Sequence, residues 1–391
     1  SKDGGLTWQV VQPTLAGQVD THPETLDPYT YVEEDSGRVF DIDLYGENLA
    51  VGLPVGAFLS WSDDEGATWL TSTVSIPGLN DHQTLFAGPT PIGNPLLKSV
   101  DPRFPEVLYY CVNQVADSWC ARSINGGLTF TMGATPAYLG ADPETNDVVC
   151  GGLHGHLATD SAGRLFLPKG HCGDPWLAIS EDGGDSWTRI QISNKIRAAD
   201  TQMAVAVDSA DNLYYVWFDD IHHLPYLSIS RDHGKTWSAP RMLGPPGVYE
   251  VNFPTIAAGD PGKIALTFPG TTVNDQSDPS RPWNSYVVIS TDALSSDPTF
   301  VSNISNPAND PVYRGACLGR CGRMFDFLDV VISPNDGSVW ATAVDTCTAK
   351  TGCPTNPKAA SDDMRGIAIR QISGPPLIGT GACPGKANKC K

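Results

Sequence analysis

Glutamate and lysine are scarce in this chain of 391 residues: 9 Glu and 11 Lys stand beside 35 Asp and 14 Arg. Glu and Lys ordinarily fill exposed helix faces, whereas Asp favours turns and caps, so a mainly helical fold is excluded and an all-β, loop-rich one is expected. No apolar run approaches the ~18 residues that cross a bilayer as a helix, which excludes helical membrane insertion. Basic charge is short as well. With Lys and Arg at 25 against 44 acids, the net charge of −19 disfavours nucleic acid and anionic lipid surfaces. No C-x-x-C pair and no zinc-ligand spacing accompany the 10 cysteines. An even set of this kind reads as disulfides made in an oxidising compartment, so a secreted, extracellular or periplasmic location is expected. No signal peptide precedes Ser1, as expected of a mature or trimmed form.

What is abundant is turn chemistry, with 39 Gly and 32 Pro. The length exceeds what one hydrophobic core usually serves, which directs attention to repeats. One short pattern recurs: Ser, an acid or Asn two residues on, Gly, then Thr or Ser followed by an aromatic. It reads Ser1-Lys2-Asp3-Gly4-Gly5-Leu6-Thr7-Trp8 and Ser62-Asp63-Asp64-Glu65-Gly66-Ala67-Thr68-Trp69. Further copies begin at Ser123 (with Asn125 in the acid position), Ser180 (Asp182) and Ser230 (Asp232), and a degenerate one runs from Ser290 and Asp292 to Thr299-Phe300. Start-to-start spacings are 61, 61, 57, 50 and 60 residues. Physically this is a hairpin turn in which Asp bonds the local backbone, Gly accepts positive φ and the aromatic covers the sheet below.

These copies resemble the Asp-box, or BNR-repeat, family, whose sialidase-like members are β-propellers with the box between the third and fourth strands of each blade. The resemblance covers nearly the whole chain and implies six four-stranded antiparallel blades. The intervals agree: residues 202–207, 213–218, 226–230 and 236–243 read as four strands broken by turn residues. The last repeat offers three, at 325–332, 339–344 and 366–372. The expectation is therefore one propeller domain over residues 1–373, its ring closed by residues 1–12 completing the last blade. A tail at 374–391 follows, stapled by Cys383 and Cys390 and able to mediate self-assembly.

In the family topology the loops before the first strand and between the second and third strands share a face opposite the boxes. This places Asp81, His82, His154, His156, Asp200, Gln202, Asn252 and Asp326 as ligand-binding candidates. Pairing neighbouring cysteines gives Cys111–Cys120, Cys150–Cys172, Cys317–Cys321, Cys347–Cys353 and Cys383–Cys390, one of many connectivities that ten cysteines permit. The second pair would draw His171 towards His154 and His156. That cluster has two readings: a Zn or Cu site, or a network in which imidazoles and carboxylates bond each other, water and loop carbonyls. Acidic loop pairs such as Asp219-Asp220 and Asp362-Asp363 suit Ca, although Asp also simply makes turns. The sequence makes no cofactor certain and leaves Zn, Cu and Ca as the candidates.

The resemblance implies, for a sialidase, three arginines for the substrate carboxylate, a Tyr nucleophile helped by Glu, and an Asp acid/base. The family's first Arg lies in an Arg-Ile-Pro motif before the first box. This chain lacks that motif and offers only Arg103-Phe104-Pro105 after the second box. Arg314, Arg320 and Arg323 cluster in one loop with Tyr313, and Glu250 follows Tyr249 with no partner defined by sequence. Trp119, Trp176, Trp217, Tyr249, Trp283 and Tyr313 fall on or near the loops and could stack on sugar rings. Two functions are thus carried: a glycan- or surface-protein-binding module, and a carbohydrate-active hydrolase with a rebuilt site.

Overall fold

The computed structural model describes residues 1–11, 13, 27–45, 56–74, 76, 80–114, 116–141, 148–199, 203–307, 309–316, 328–348, 350, 352–353 and 364–379. Each sheet is an antiparallel meander. The first comprises β1 (Tyr29–Val32), β2 (Val39–Tyr45), β3 (Gly56–Ser62) and β4 (Leu70–Val74). The second comprises β5 (Asn80–Gly88), β6 (Val107–Gln114), β7 (Asp117–Ser123) and β8 (Thr131–Met132). The third comprises β9 (Ala158–Thr159), β10 (Leu165–His171), β11 (Asp174–Ser180) and β12 (Thr188–Gln191). In the fourth are β13 (Ala204–Val207), β14 (Leu213–Phe218), β15 (Pro225–Ser230) and β16 (Arg241–Met242). The fifth holds β17 (Glu250–Val251), β18 (Thr255–Ala258), β19 (Ile264–Thr271), β20 (Pro282–Ser290), β21 (Val301–Ile304) and β22 (Tyr313–Arg314). β23 (Val330–Ile332), β24 (Val339–Asp345) and β25 (Arg365–Arg370) form the sixth.

The chain divides into two compact units, Ser1–Cys172 with Trp176–Gln191, and Gly173–Pro175 with Ile192–Lys391. In the first, β5 runs beside both β1 and β9; in the second, β18 runs beside both β13 and β23. First strands that lie beside one another while each meander remains a separate sheet are the signature of propeller blades. The fold is an all-β, six-bladed β-propeller.

Burial follows position in the blade. All six residues of β14, all seven of β10 and all eight of β19 are buried, because a second strand has neighbours on both edges and both faces. The outer strands β8 and β16 are exposed throughout. Apolar cores form inside each unit, around Val107, Tyr109, Leu165 and Leu167 in one and around Tyr214, Val216, Leu266 and Phe268 in the other.

The boxes take the expected form. In the second, Ser62 Oγ donates to Asp64 Oδ1 (2.8 Å) and accepts from Gly66 N (2.8 Å), while Asp64 accepts from Thr68 N (2.8 Å) and Thr68 Oγ1 (2.6 Å). Trp69 Nε1 closes the turn on Gly66 O at 3.0 Å. The copy at Ser230 repeats these contacts. Its fourth position, Gly in the copies that begin at Ser1, Ser123 and Ser180 and Glu65 (φ 60°) in the second, is His233 at φ 59°, a left-handed turn position and not a loop-face one.

The expected completion of the sixth sheet by residues 1–12 is not formed among the described residues. Residues 1–11 hold no strand, and Trp8 is 64% exposed. The first box instead lies near the second, with Lys2 Nζ 2.6 Å from Glu65. Three expected disulfides form: Cys111–Cys120, Cys150–Cys172 and Cys347–Cys353, with Cα separations of 4.0, 5.0 and 4.8 Å. The first joins residues directly opposite on β6 and β7 within the core, so it braces a sheet and staples no long loop. Cys317, Cys321, Cys383 and Cys390 lie outside the described residues.

Candidate functional site

In the first five sheets the third strand runs from a loop to a box, so each of these blades has a box end and a loop end. In the first unit the loop ends bring histidines together with a lysine. A register shift between Asp81 and Gln83 bulges β5 and sets His82 at φ 50°, and its ring is fully buried. There it meets His154 edge to face, with centroids 5.5 Å apart. His154 bridges Lys169 across to β10, its Nδ1 lies 2.8 Å from Gly155 O, and its Nε2 is enclosed without a hydrogen-bond partner. Burial lowers the His154 pKa to about 3, with Lys169 and His156 adding in the same direction, so this imidazole is neutral at any ordinary pH. Lys169 is also fully buried; its Nζ donates to Ala116 O (2.7 Å) and Ser118 Oγ (3.1 Å) and lies over the Tyr138 ring.

The Cys150–Cys172 link forms, yet the three histidines part: His154 faces His82, His156 packs on Tyr29 (4.8 Å) and His171 on Tyr138 (5.6 Å). Their nitrogens do not gather within 4.8 Å of one another, so the three-histidine metal centre is not assembled. His82, His154 and His171 are enclosed in the sheet ends, beyond the reach of a ligand, while Asp81 is exposed and His156 half-buried.

In the second unit the loop ends hold a constellation that the spacing of residues did not reveal. Glu250 opens β17 and is 2% exposed. Its Oε2 accepts from Arg281 Nη2 at 2.5 Å, and its Oε1 lies 3.0 Å from His223 Nδ1. Arg281 is fully buried, with its guanidinium carbon 4.6 Å from the centroid of the Trp283 ring, and Trp283 is anchored by Nε1 to Gly315 O at 3.2 Å. A carboxylate facing a guanidinium only accepts, so His223 must donate from Nδ1, leaving the Nε2 lone pair outward. Nε2 has no hydrogen bond among the described residues and is not enclosed; the side chain keeps 15% of its surface exposed.

The backbone beneath is tightly held. Asp219 Oδ1 accepts from the N–H groups of Ile221, His222 and His223, Val251 N donates to His223 O at 2.8 Å, and His223 sits at φ 54°. Asp219 thus acts as a turn-maker and Asp220 pairs with Arg197 at 3.2 Å, which occupies the acidic pair that had suggested Ca. Asn252 is buried, its Oδ1 accepting from Phe253 N. Of the six loop aromatics, Trp217 and Trp283 are fully buried, Trp119, Trp176 and Tyr313 half-buried, and Tyr249 is 51% exposed.

Among the described residues, the candidate arginines are committed elsewhere. Arg281 serves Glu250, Arg314 donates to Ser280 O (3.0 Å) and Cys353 O (3.2 Å), and Arg103 reaches Asp63 of a box, at the opposite end of its blade. Asp200, Gln202, Asp326, Arg320, Arg323, Asp362 and Asp363 lie outside the described residues.

Residues 55–260, more than half of the chain, match the family model described as BNR repeat-like domain. A search of curated proteins finds no match. Among solved structures, the chain is similar to a protein of unknown function from Dyadobacter fermentans (12% identity, TM-score 0.53, 88% of this chain and 94% of that one). It is also similar to the NanB sialidase of Streptococcus pneumoniae (11%, TM-score 0.53, 92% and 70%) and to the leech intramolecular trans-sialidase (11%, TM-score 0.51, 93% and 70%). At these identities the likeness concerns the fold.

Proposed function

This chain belongs to the BNR repeat-like family of sialidase-like propellers, and from that premise we propose that it is a secreted module that binds neutral glycans through the loop ends of its blades. The observation that carries the reading is the pairing of Arg281 and Arg314 with groups of the protein itself. Recognition of a sugar carboxylate needs guanidinium forks converging on the ligand. Here Arg281 is spent on Glu250, and the surrounding loops carry Asp219, Asp220, Asp275 and Asp278, a field that repels an acidic sugar. Neutral pyranose rings suffer no such penalty and stack on an exposed aromatic such as Tyr249, which directly precedes Glu250, the partner of His223, in the chain. Disulfides and the lack, among the described residues, of any helix long and apolar enough to cross a membrane support an extracellular setting.

A glycan array is the direct test. Neutral glycans should bind, and Tyr249→Ala should weaken the best binder by at least tenfold in Kd. Preferential binding of sialosides, or no glycan above background, would sink the reading.

A second reading, a hydrolase with a rebuilt site, is favoured by one observation, the oriented imidazole of His223.

A further inference from the structure

We propose that His223 is a general base that hydrolyses an ester carried by a neutral sugar, with Glu250 as its positioning residue; the sugar part rests on the glycan reading above. The geometry is that of an activated imidazole. Nδ1 is fixed at 3.0 Å by a buried carboxylate, which Arg281 balances from its other oxygen at 2.5 Å. That arrangement selects the tautomer with Nε2 free to accept a proton and stabilises the imidazolium once it has done so. The ring is also fixed from below, because Asp219 gathers three backbone N–H groups of its turn and the Phe218 ring packs edge-on at 5.6 Å. A non-glycine residue held at φ 54° is a strained placement that this turn maintains.

Among the described residues around His223, the same contacts leave no pair of carboxyl groups to flank a glycosidic bond in the usual way. Both oxygens of Glu250 are engaged, Asp219 Oδ1 is filled by backbone, and Asp220 faces Arg197. Asp275 and Asp278 cap their own loop through Ser277 and Ser280. With one free base and, among the described residues around it, no free acid, the chemistry that fits is addition of water to an acyl carbon. His223 Nε2 takes one proton from water as the water oxygen bonds to the ester carbonyl carbon. The tetrahedral adduct then breaks its bond to the sugar oxygen, and that oxygen receives the proton back from the imidazolium. A carboxylic acid and a free sugar hydroxyl result, with no change of oxidation state and no other reactant than water.

The test uses the full chain, p-nitrophenyl acetate and an acetylated neutral xylo-oligosaccharide, following acetate release. His223→Gly is the informative variant: glycine suits the left-handed backbone, so the turn is retained, and the space left admits imidazole. It should lose about 10²–10⁴-fold in kcat/KM, the usual worth of a general base, and added imidazole should restore much of that. Glu250→Gln should lower kcat at least tenfold with KM little changed, which a merely structural role would not do. Should His223→Gly melt early, His223→Gln serves in its place. Acetate release that persists in these variants, or no release by the parent protein, overturns the proposal. The two readings fail separately: glycan binding without ester turnover removes this one alone, and His223-dependent turnover of the nitrophenyl ester without glycan binding removes the glycan reading alone.

Discussion

Buried arginines hold the ends of these blades together, and each does so by taking up carboxylates that would otherwise stand alone. Arg38 is 1% exposed and forks onto Asp63 at 2.6 and 3.0 Å, reaches Asp101 at 3.1 Å, and donates to Gly126 O at 2.9 Å. It therefore ties the boxes of the first two sheets to one another. Removing one partner of such a pair leaves the others desolvated, which costs far more than the pair contributes relative to an apolar replacement. Arg38→Ala is expected to destabilise the protein by ~3–5 kcal/mol, read as a shift in the urea midpoint. A loss under ~1 kcal/mol would mean that water replaces the guanidinium there. Arg281 occupies the same kind of position at the loop end of the second unit, with the difference that its carboxylate partner carries a histidine on the other oxygen.

The box is the element that made the fold legible. It is local: Ser, Asp, Gly, Thr and the aromatic lie within eight residues, so their spacing in sequence is already their geometry in space. Strands flanked by it were placed closely; 213–218 is β14 to the residue, because a strand buried on both faces reads as a continuous apolar run. The fourth strand at 236–243 shrank to two residues, since an outer strand pairs on one side only and nothing in its sequence marks where pairing ends. The catalytic candidate was illegible for the opposite reason. Glu250 lies 27 residues from His223 and 31 from Arg281; the pairing of β17, β19 and β20 in one sheet brings it to Arg281, and the neighbouring sheet supplies His223. The loop topology suggests an open surface for His82, yet its ring is buried, and a β-bulge that turns a ring inward leaves no trace in composition. For the box itself, the serine is the element to probe. Ser180 Oγ accepts from the buried Gly184 N at 2.8 Å, and Ser180→Ala leaves that N–H unsatisfied, at ~1–3 kcal/mol. Loss of ellipticity on heating should come several degrees earlier, and an unchanged melt would show that the backbone finds another acceptor.

Across the whole molecule, two sets of carboxylates pull stability in opposite directions with pH. Asp3, Asp64 and Asp232 are held at a pKa of about 2, chiefly by the hydroxyls of Thr7, Thr68 and Thr236, against a usual value of 3.8. A depressed folded-state pKa supplies stability above the unfolded value and loses it as pH falls from about 4 towards 2. Asp41 and Glu106 behave oppositely. Burial, with Asp43 beside the first and Glu33 and Asp35 beside the second, raises them to about 6 and about 7. The folded state then holds protons that the unfolded chain has already released, so stability present below pH ~4 is lost as pH rises through 6 to 7. Self-repulsion within a chain of net charge −19 adds to the decline on the alkaline side. Thermal stability should therefore peak in mildly acidic buffer, near pH 4 to 5, and fall on both sides. The double variant Asp41→Asn, Glu106→Gln should flatten the alkaline limb and leave the acid limb in place, since the boxes are untouched. Melting curves from pH 3 to 8 decide the matter: a flat profile between pH 5 and 8, or an alkaline limb unaffected by the two substitutions, would show that these buried acids do not govern it.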